Sequence, residues 1–264
     1  MTGARWPVLV LAALVAAAIA APIVAPYAPD QLDLAHRRDK PSREHWFGTD
    51  ELGRDVLARV LYGARVSLAV GLLSAAVAGA SGTAIGGIAG YAGGSLDNIL
   101  MRATDAMLAV PRLPLLMIAA AVFQPTVPQL VLLIGLASWM ETARVARAEL
   151  LSLRSRDFVG AARALGAGHA RLILAHLLPN AAPAVTVSMT LAVGRSILLE
   201  SAISFFGVGV QPPASSWGNM LYQAQSALAT EPWLALFPGL FIFATTLSVN
   251  LAGERLATAA HRGP

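Results

Sequence analysis

The stretch of sequence that decides the fold runs from Val66 to Tyr91 and reads VSLAVGLLSAAVAGASGTAIGGIAGY. It carries no charged residue and exceeds the roughly 20 residues with which an α-helix crosses about 30 Å of hydrocarbon. Gly82, Gly86, Gly90 and Gly94 recur every four residues, close to one line along a helix, where another helix can approach because no side chain intervenes. The sequence therefore predicts a membrane span with a packing stripe, which is expected to contact a helix of the same chain rather than another subunit.

The composition of the whole chain extends this prediction. Of its 264 residues, 56% are hydrophobic and 13% charged, and the mean hydropathy is +0.62, which is more apolar surface than one soluble core uses. The sequence predicts an all-α protein with six membrane helices, in the stretches Pro7 to Ala25, Val66 to Tyr91, Met107 to Phe123, Val127 to Met140, Ala181 to Leu199 and Trp233 to Ala252. The third and fourth of these stretches are short for a span, and tilt, or an extension of the fourth helix through Arg144 and Arg147 toward Glu149, supplies the missing length.

The first apolar stretch permits two interpretations. Arg5, the run Val8 to Ala21 and the triplet Ala18-Ile19-Ala20 are also typical of a cleaved secretory signal peptide. A retained helix is preferred, because six spans put both termini and the basic loop at Glu141 to Asn180 on one side of the membrane.

Several classes of chemistry are excluded by residue content. The chain has no cysteine, hence no disulfide or thiolate metal site, and the two histidines His169 and His176 do not make a metal site by themselves. Lys40 is the only lysine, and the residues before it form no glycine-rich phosphate loop. No G-x-S-x-G or H-E-x-x-H motif occurs, which argues against an intramembrane enzyme. We expect no cofactor or metal on this chain, so ATP-driven work would need nucleotide bound by another subunit.

The distribution of charge gives little information on orientation. The formal net charge is +4. Residues 141–180 hold six arginines and three acids, whereas residues 30–65 hold seven basic and seven acidic residues. The positive-inside rule counts basic residues, so it barely distinguishes the two segments.

The basic loop contains GAARALGAGHARLILAHLLPN at residues 160–180. Ser155 can cap a short helix, Asp157 suits its positive N-terminal end, and Gly166 can stop it in a left-handed conformation. The predicted helix runs from Arg156 to Leu165. It combines a slim face, apolar anchors and arginines that could pair with acidic groups, a pattern typical of a helix lying in a partner's groove; these residues are Ala161 and Ala162, Phe158 and Leu165, and Arg156 and Arg163.

Two further motifs lie outside the spans. Residues 45–55 read HWFGTDELGRD, and the amphipathic pattern that follows predicts a helix capped by Thr49 or Asp50, with Asp55 and Arg59 as an i,i+4 ion pair. Residues 201–218 read SAISFFGVGVQPPASSWG, where Gly and Pro predict an extracytoplasmic turn or re-entrant piece.

These blocks resemble the permease subunits of ATP-binding-cassette (ABC) importers of the dipeptide, oligopeptide and nickel family. The family's docking loop reads Glu-Ala-Ala, three residues, Gly, nine residues, an apolar residue, one more and Leu-Pro. Ala161, Ala162, Gly166, Leu178 and Pro179 are in register, while a glycine at 160 replaces the Glu and a histidine at 176 the apolar residue. The blocks at 45–55 and 201–218 resemble the family's GTDxLGRD and LSFLGLGxQPPxPSWG motifs.

The resemblance implies the type I importer permease fold, with residues 1–65 as first helix, outer loop and amphipathic helix, and 66–264 as the core with an ATPase-coupling loop at 150–180. It implies a second homologous permease, two ATP-binding subunits that use ATP and Mg, and an extracytoplasmic binding protein, in the bacterial cytoplasmic membrane and with no nucleic acid. Peptides are the expected substrate, with nickel or haem-like ligands as the alternative within the family. An ion-coupled transporter and a structural scaffold are the other classes left open.

Charged residues inside or beside the spans are candidates for the translocation pathway, because a charge at membrane depth normally faces protein or water. Arg112 lies between two prolines, whose freed backbone carbonyls could accept its hydrogen bonds. Arg195 and Glu200 are five residues apart, which puts them on different helix faces and predicts separate partners. By the resemblance, the 201–218 segment would line the outer gate, with Phe205, Phe206 and Val208 as its expected residues.

Overall fold

The computed structural model describes residues 6–260, apart from the side chains of 259 and 260, and within this range the chain forms helices and no β-strand. The all-α prediction is confirmed. The helices are α1 (Trp6–Val24), α2 (Val56–Ala92), α3 (Gly94–Ala109), α4 (Arg112–Phe123), α5 (Val127–Leu136), α6 (Trp139–Arg154), α7 (Asp157–Ala164), α8 (His169–Arg171), α9 (Leu178–Phe205), α10 (Trp217–Ala224) and α11 (Trp233–Ala260). A π-helical segment, Leu172–Leu177, joins α8 to α9, so that residues His169–Phe205 form one continuous helix.

Fewer full-length spans form than the six apolar stretches suggest. Among the described residues four helices are long and apolar enough to cross a membrane: α1, α2, the continuous helix His169–Phe205 and α11. The third stretch belongs to α3 and α4, which are bent by 79° around Val110 and Pro111 and make a fifth span only if the pair counts as one. A proline lacks the N–H that would continue α3, which explains the break. The fourth stretch forms α5, and after Ala137 and Ser138 the chain continues as α6.

Helix α2 occupies the centre of the fold, in contact with α1, α5, α6, α9 and α11. The glycine stripe is the reason α6 can lie so close, since Gly82, Gly86 and Gly90 are buried against the α6 backbone. The nearest atom to a Cβ at each of the three would be a backbone carbonyl oxygen of α6, in order that of Trp139, Ala143 and Arg147. The same four-residue step on both helices aligns the two backbones, so the predicted packing within the chain is confirmed. Gly94 is not part of it, because α2 ends at Ala92 and Gly94 has open space around it.

The start of α2 corrects two local predictions. The cap is Asp55, whose carboxylate accepts from the Ala58 N–H at 2.8 Å, rather than Thr49 or Asp50. Arg59 donates to Asp50 at 2.6 Å and to Gln223 at 2.8 Å. Asp55 is occupied by the cap and by His45, whose Nδ1 lies 2.9 Å from Oδ1. The expected Asp55–Arg59 pair therefore does not form, since the carboxylate of a capping residue points back along the first turn.

The amphipathic segment and the second apolar stretch are one helix, so the expected division between residues 65 and 66 falls inside α2. At the other end of the loop between α1 and α2, α1 packs on α2 and α11 through buried Ala18 and Ala21. Arg5, part of the signal-peptide interpretation, lies outside the described residues. In the loop itself the hydrogen bond between Asp33 and His36 (2.9 Å) lowers the pKa of the carboxyl and raises the pKa of the imidazole.

Gly86 and Gly87 provide a test of the α2–α6 contact. Gly86→Ala places a methyl group against the Ala143 backbone, and we expect it to lower the free energy of unfolding by about 1–3 kcal/mol, as overpacking does. The matched control is Gly87→Ala, whose new Cβ would lie 3.6 Å from a Leu150 methyl in ordinary contact. Thermal unfolding of the purified chain in detergent measures both; equal midpoints for the two variants would contradict the close approach.

Candidate functional site: the coupling helix and an intramembrane charge cluster

Helix α7, here called the coupling helix, is short and is held to the body by one side. Val159 is its buried residue and packs with Leu150, Leu172, Leu177 and Ala181, which come from α6, the π-helical segment and α9. Asp157 lies in the first turn, as expected from the helix dipole. Ser155 is not the cap: its hydroxyl donates to the Ser152 carbonyl at 2.9 Å, and Arg156 occupies the cap position without a side-chain bond.

The coupling helix is uncovered on the side that carries Phe158 and Leu165, about a third of a turn from Val159. Leu165 is 89% exposed and Phe158 39% exposed, and Arg156 and Arg163 elsewhere on the helix surface are exposed as well. Ala161 is exposed, whereas Ala162 is half-buried against the Val159 cluster. An apolar and basic surface of this kind on a polar loop is typical of a docking surface.

The end of the coupling helix is fixed by Gly166, which has φ of +84° and confirms the predicted left-handed residue. The Ala167 N–H donates to the Ala162 carbonyl at 3.0 Å, and the Gly166 N–H donates to the Arg163 carbonyl at 2.9 Å. This pair of bonds is a Schellman motif, which satisfies the last carbonyls of the helix and sets the direction of the following chain.

The departure from the family pattern at position 160 leaves an opening on the same helix. A Cβ on Gly160 would meet no atom within 4 Å, so a larger residue would fit there. The glycine is thus not required by the fold of this chain, and the place of the family's Glu is left empty on the exposed side.

Three charged side chains meet where α4, α6 and α9 come together. Arg112 is the first residue of α4 and its Nη2 donates to Glu141 Oε1 at 3.1 Å. Arg195, in the middle of α9, forms an ion pair with the other carboxylate oxygen of Glu141. We call these residues the charge triad. Glu141 lies in the first turn of α6, where the helix dipole favours a negative charge. Arg112 lies at the start of α4, where the dipole of that helix disfavours a positive charge, so the Glu141 carboxylate stabilises it.

The triad shows which groups the arginines pair with, and this corrects the prediction for Arg112 and confirms the one for Arg195. Arg112 pairs with a carboxylate instead of the carbonyls freed by its neighbouring prolines. Arg195 and Glu200 do have separate partners, as predicted. Sequence reasoning missed Glu141, although a lone acid directly after the apolar stretch that ends at Met140 was a signal that could have identified it.

Glu200 lies in a different environment. It is fully buried, accepts from the Ser204 hydroxyl at 2.8 Å and from the Ser67 hydroxyl at 3.1 Å, and so joins α9 to α2. Ser67 in turn accepts from the Trp217 N–H at 3.2 Å, which adds α10 to the network. Glu200 is enclosed by its own chain in this conformation, and its place on a pathway stays a prediction.

The segment after α9 is a turn followed by a helix, α10, which sequence reasoning missed. Phe205 and Phe206 are exposed with ring centroids 5.6 Å apart, while Val208 packs against the core around Ile203. Ser216 caps α10 by accepting from the Asn219 N–H at 3.2 Å, a signal that was present in the sequence. Their part in an outer gate stays a prediction.

Of the two histidines considered as metal ligands, His169 makes a hydrogen-bond contact within the chain. His169 Nδ1 lies 2.5 Å from the Tyr91 hydroxyl, which ties the loop to the end of α2. Within residues 6–260 no group of three or more His, Cys, Asp or Glu side chains could hold a metal ion.

These features define a class: a multi-pass helical membrane protein with an uncovered helix on its polar loop and ion pairs between its helices. Residues 82–262 match the family of binding-protein-dependent transport system inner membrane components, and the chain belongs to this family.

Named relatives agree with this assignment, and one solved structure has a similar fold. The chain is 42% identical over 236 residues to a Brucella suis biovar 1 protein with a provisional peptide-permease name, covering 89% of this chain and 78% of the relative. It is 38% identical to the dipeptide transport system permease protein of Alkalihalophilus pseudofirmus (85% and 74% covered) and 37% identical to the glutathione transport system permease protein of Escherichia coli O6:K15:H31 (98% and 84%). Its fold is similar to that of a chain in inward-facing crystals of the MetNI methionine ABC transporter, with a TM-score of 0.62 at 19% identity over 77% of this chain and 96% of that chain.

The two sides of the coupling helix predict opposite mutational behaviour. Val159→Ala removes two buried methyl groups, and we expect a loss of roughly 1–3 kcal/mol in the free energy of unfolding. Leu165→Ala removes a side chain already in solvent and should leave that free energy unchanged within about 0.5 kcal/mol. Denaturant or thermal unfolding of the purified chain distinguishes them, and a larger effect at 165 than at 159 would contradict the orientation described.

Proposed function

We propose that this chain is one of two permease subunits of an ATP-driven importer that carries peptides across the bacterial cytoplasmic membrane. A second homologous permease completes the pathway, two ATP-binding subunits use ATP and Mg, and an extracytoplasmic binding protein delivers the substrate. The family assignment supports the transport role, and the names of the relatives, two of which refer to peptides and one to glutathione, a tripeptide, support the substrate class.

The observation that carries the ATPase partnership is the coupling helix. Its apolar residues Phe158 and Leu165 are exposed, while Val159, about a third of a turn around the helix from them, fixes it to the body. A helix that is held on one side and uncovered on the other can pass a displacement from a docked partner to the protein. Arg156 and Arg163, which are exposed on the flank next to Val159, add positive charge to the coupling helix, and this charge fits a partner with acidic residues beside its groove.

The connections of the coupling helix determine where such a displacement goes. It follows α6 after two residues and precedes α8 and the continuous helix to Phe205, with the Schellman motif at Gly166 as the joint. Movement of the docked ATPases would therefore reorient α6 and α9 together. ATP and the loaded binding protein must each bind one of the two conformations more tightly, since a ligand without such a difference shifts no equilibrium.

Docking is tested by Leu165→Ala combined with Phe158→Ala. Because both side chains are apolar anchors, we expect the double variant to lose at least about tenfold in affinity for the ATP-binding subunits. Leu73→Ala, which removes an exposed leucine from α2, is the matched control and should co-purify normally. Retention of the ATP-binding subunits by the Leu165 and Phe158 double variant at the control level would reject the docking surface.

Transmission is tested at Gly166. Gly166→Val forces a β-branched residue into a left-handed backbone at a cost of roughly 1–2 kcal/mol, so we expect the Schellman joint to distort and transport to uncouple from ATP hydrolysis. Gly168→Val is the control: its position also has open space, but its φ is −69°. Uptake and ATP hydrolysis are measured on the assembled transporter. Wild-type uptake per ATP in the Gly166 variant would count against transmission through this joint.

The substrate class is tested by uptake of labelled dialanine into cells that express the complete transporter. We expect uptake that stops when ATP is depleted and that requires the binding protein. Uptake that survives ATP depletion would indicate an ion-coupled transporter. Inhibition by a nickel chelate or haem, with no dialanine uptake, would indicate the alternative ligands of the family.

A further inference from the structure

Two cavities lie one above the other along α9 and meet at the charge triad. The inner cavity, of about 660 Å³, extends toward the coupling loop and is lined by Asn180, Ala184 and Glu141 among others. The outer cavity, of about 570 Å³, extends toward the turn after α9 and is lined by Leu198, Ala202 and Arg112 among others. Arg195 lines both cavities.

One face of α9 forms the wall that the cavities share. Ala184 and Ala202 are separated by 18 residues, which is five helical turns or about 27 Å, so their side chains point in the same direction. Arg195 lies within about 20° of the same line. The two cavities are thus successive parts of one groove, and the triad lies between them.

The charges in the groove are unequally distributed. The inner cavity is lined by two acids and two arginines, Glu141, Glu149, Arg156 and Arg195. The outer cavity has Arg112 and Arg195 at one end and otherwise apolar walls, with no acid in its lining. In the triad two guanidinium groups share one carboxylate, which leaves one positive charge in excess. A second carboxylate entering from the outer cavity would meet two partly exposed guanidinium groups. A guanidinium group binds a carboxylate through two parallel hydrogen bonds, so this site fits a carboxylate.

We infer that Arg112, Glu141 and Arg195 form a charge gate between the two cavities, and that a substrate carboxylate opens it by replacing Glu141 on the arginines. The inference rests on the proposed function, since it assigns the groove to the import pathway. It also connects the groove to the coupling helix: Glu141 and Arg195 lie on α6 and α9, the two helices that the coupling loop joins. A displacement of that loop changes the distance between the two partners and so makes or breaks the gate.

The gate is tested by single cysteines, with labelling read on this chain alone, which has no native cysteine to give a background. Ala184→Cys and Ala202→Cys are made separately, and the complete transporter in sealed vesicles is treated from one side at a time with membrane-impermeant thiol reagents, one anionic and one cationic. With the triad intact, a reagent added from one side should label one position roughly tenfold faster than the other, or more. After Glu141→Gln the two arginines repel each other, and a one-sided reagent of either charge should label both positions.

Glu149→Gln is the matched control, because Glu149 lines the inner cavity outside the triad and should leave the one-sided pattern unchanged. The two reagents distinguish an open gate from a change in electrostatic potential: an open gate admits both reagents, whereas a changed potential speeds labelling by one and slows labelling by the other. Equal one-sided labelling of both cysteines with the triad intact overturns the gate. So does an unchanged one-sided pattern in a normally assembled Glu141→Gln transporter.

The carboxylate is tested by comparing uptake of dialanine and dialanine amide at saturating binding protein. Arg195→Gln should lower the ratio of the two maximal rates about tenfold, because a charge-assisted pair is lost for one probe only. Arg195→Lys should recover part of the ratio. An unchanged ratio in Arg195→Gln overturns the carboxylate assignment. Uptake of neither probe by the wild-type transporter would contradict the proposed peptide function, whereas the labelling pattern still decides the gate.

Discussion

Close approach of two helix backbones is the constraint on which the rest of the structure depends. Gly82, Gly86 and Gly90 of α2 lie against the backbone of α6, and no other residue type would leave room for this contact. In a bilayer the lipid chains are as apolar as leucine, so the gain comes from dispersion between closely packed atoms. With α6 fixed in this way, its first turn holds Glu141 between α4 and α9, and its last turn carries the coupling helix.

Polar groups inside the fold are organised around this frame in two ways. The serine network around Glu200 joins α2, α9 and α10 and is fully enclosed, so its groups satisfy one another without water. The triad joins α4, α6 and α9 but borders cavities and is partly exposed. The first arrangement fixes helices relative to each other. The second has groups that can exchange partners, which is the property a moving part requires.

Much of the fold followed from patterns that local physics determines. The apolar runs identified the helices, the glycine spacing identified the α2 packing face, and Gly166 was recognised as the end of the coupling helix, since each depends on residues close in sequence. The break at Pro111 reduced the count of full spans, because a run of apolar residues does not reveal how a helix bends. Ser155 and Thr49 were wrong as caps, as several polar residues near a helix start compete for one position.

Partners of charged residues were harder to predict than their presence. Arg112, Arg195 and Glu200 were recognised as out of place in a bilayer from sequence alone. That Arg112 and Arg195 share Glu141 depends on three helices far apart in sequence, so no spacing rule could show it. A more local case is Arg59, which pairs with Asp50, whereas Asp55, the partner expected from spacing, caps the helix.

The alignment of Ala184, Arg195 and Ala202 on one face of α9 has a consequence for how the groove can change. Side chains in a single row along a rigid cylinder swing together when the cylinder turns about its axis. A modest rotation of α9 would move the shared wall of both cavities together with Arg195, so the width and the charge of the proposed passage cannot be adjusted independently. Sequence variation that changes substrate selectivity is therefore expected on the helices opposite α9, where one residue can be replaced without displacing Ala184, Arg195 and Ala202.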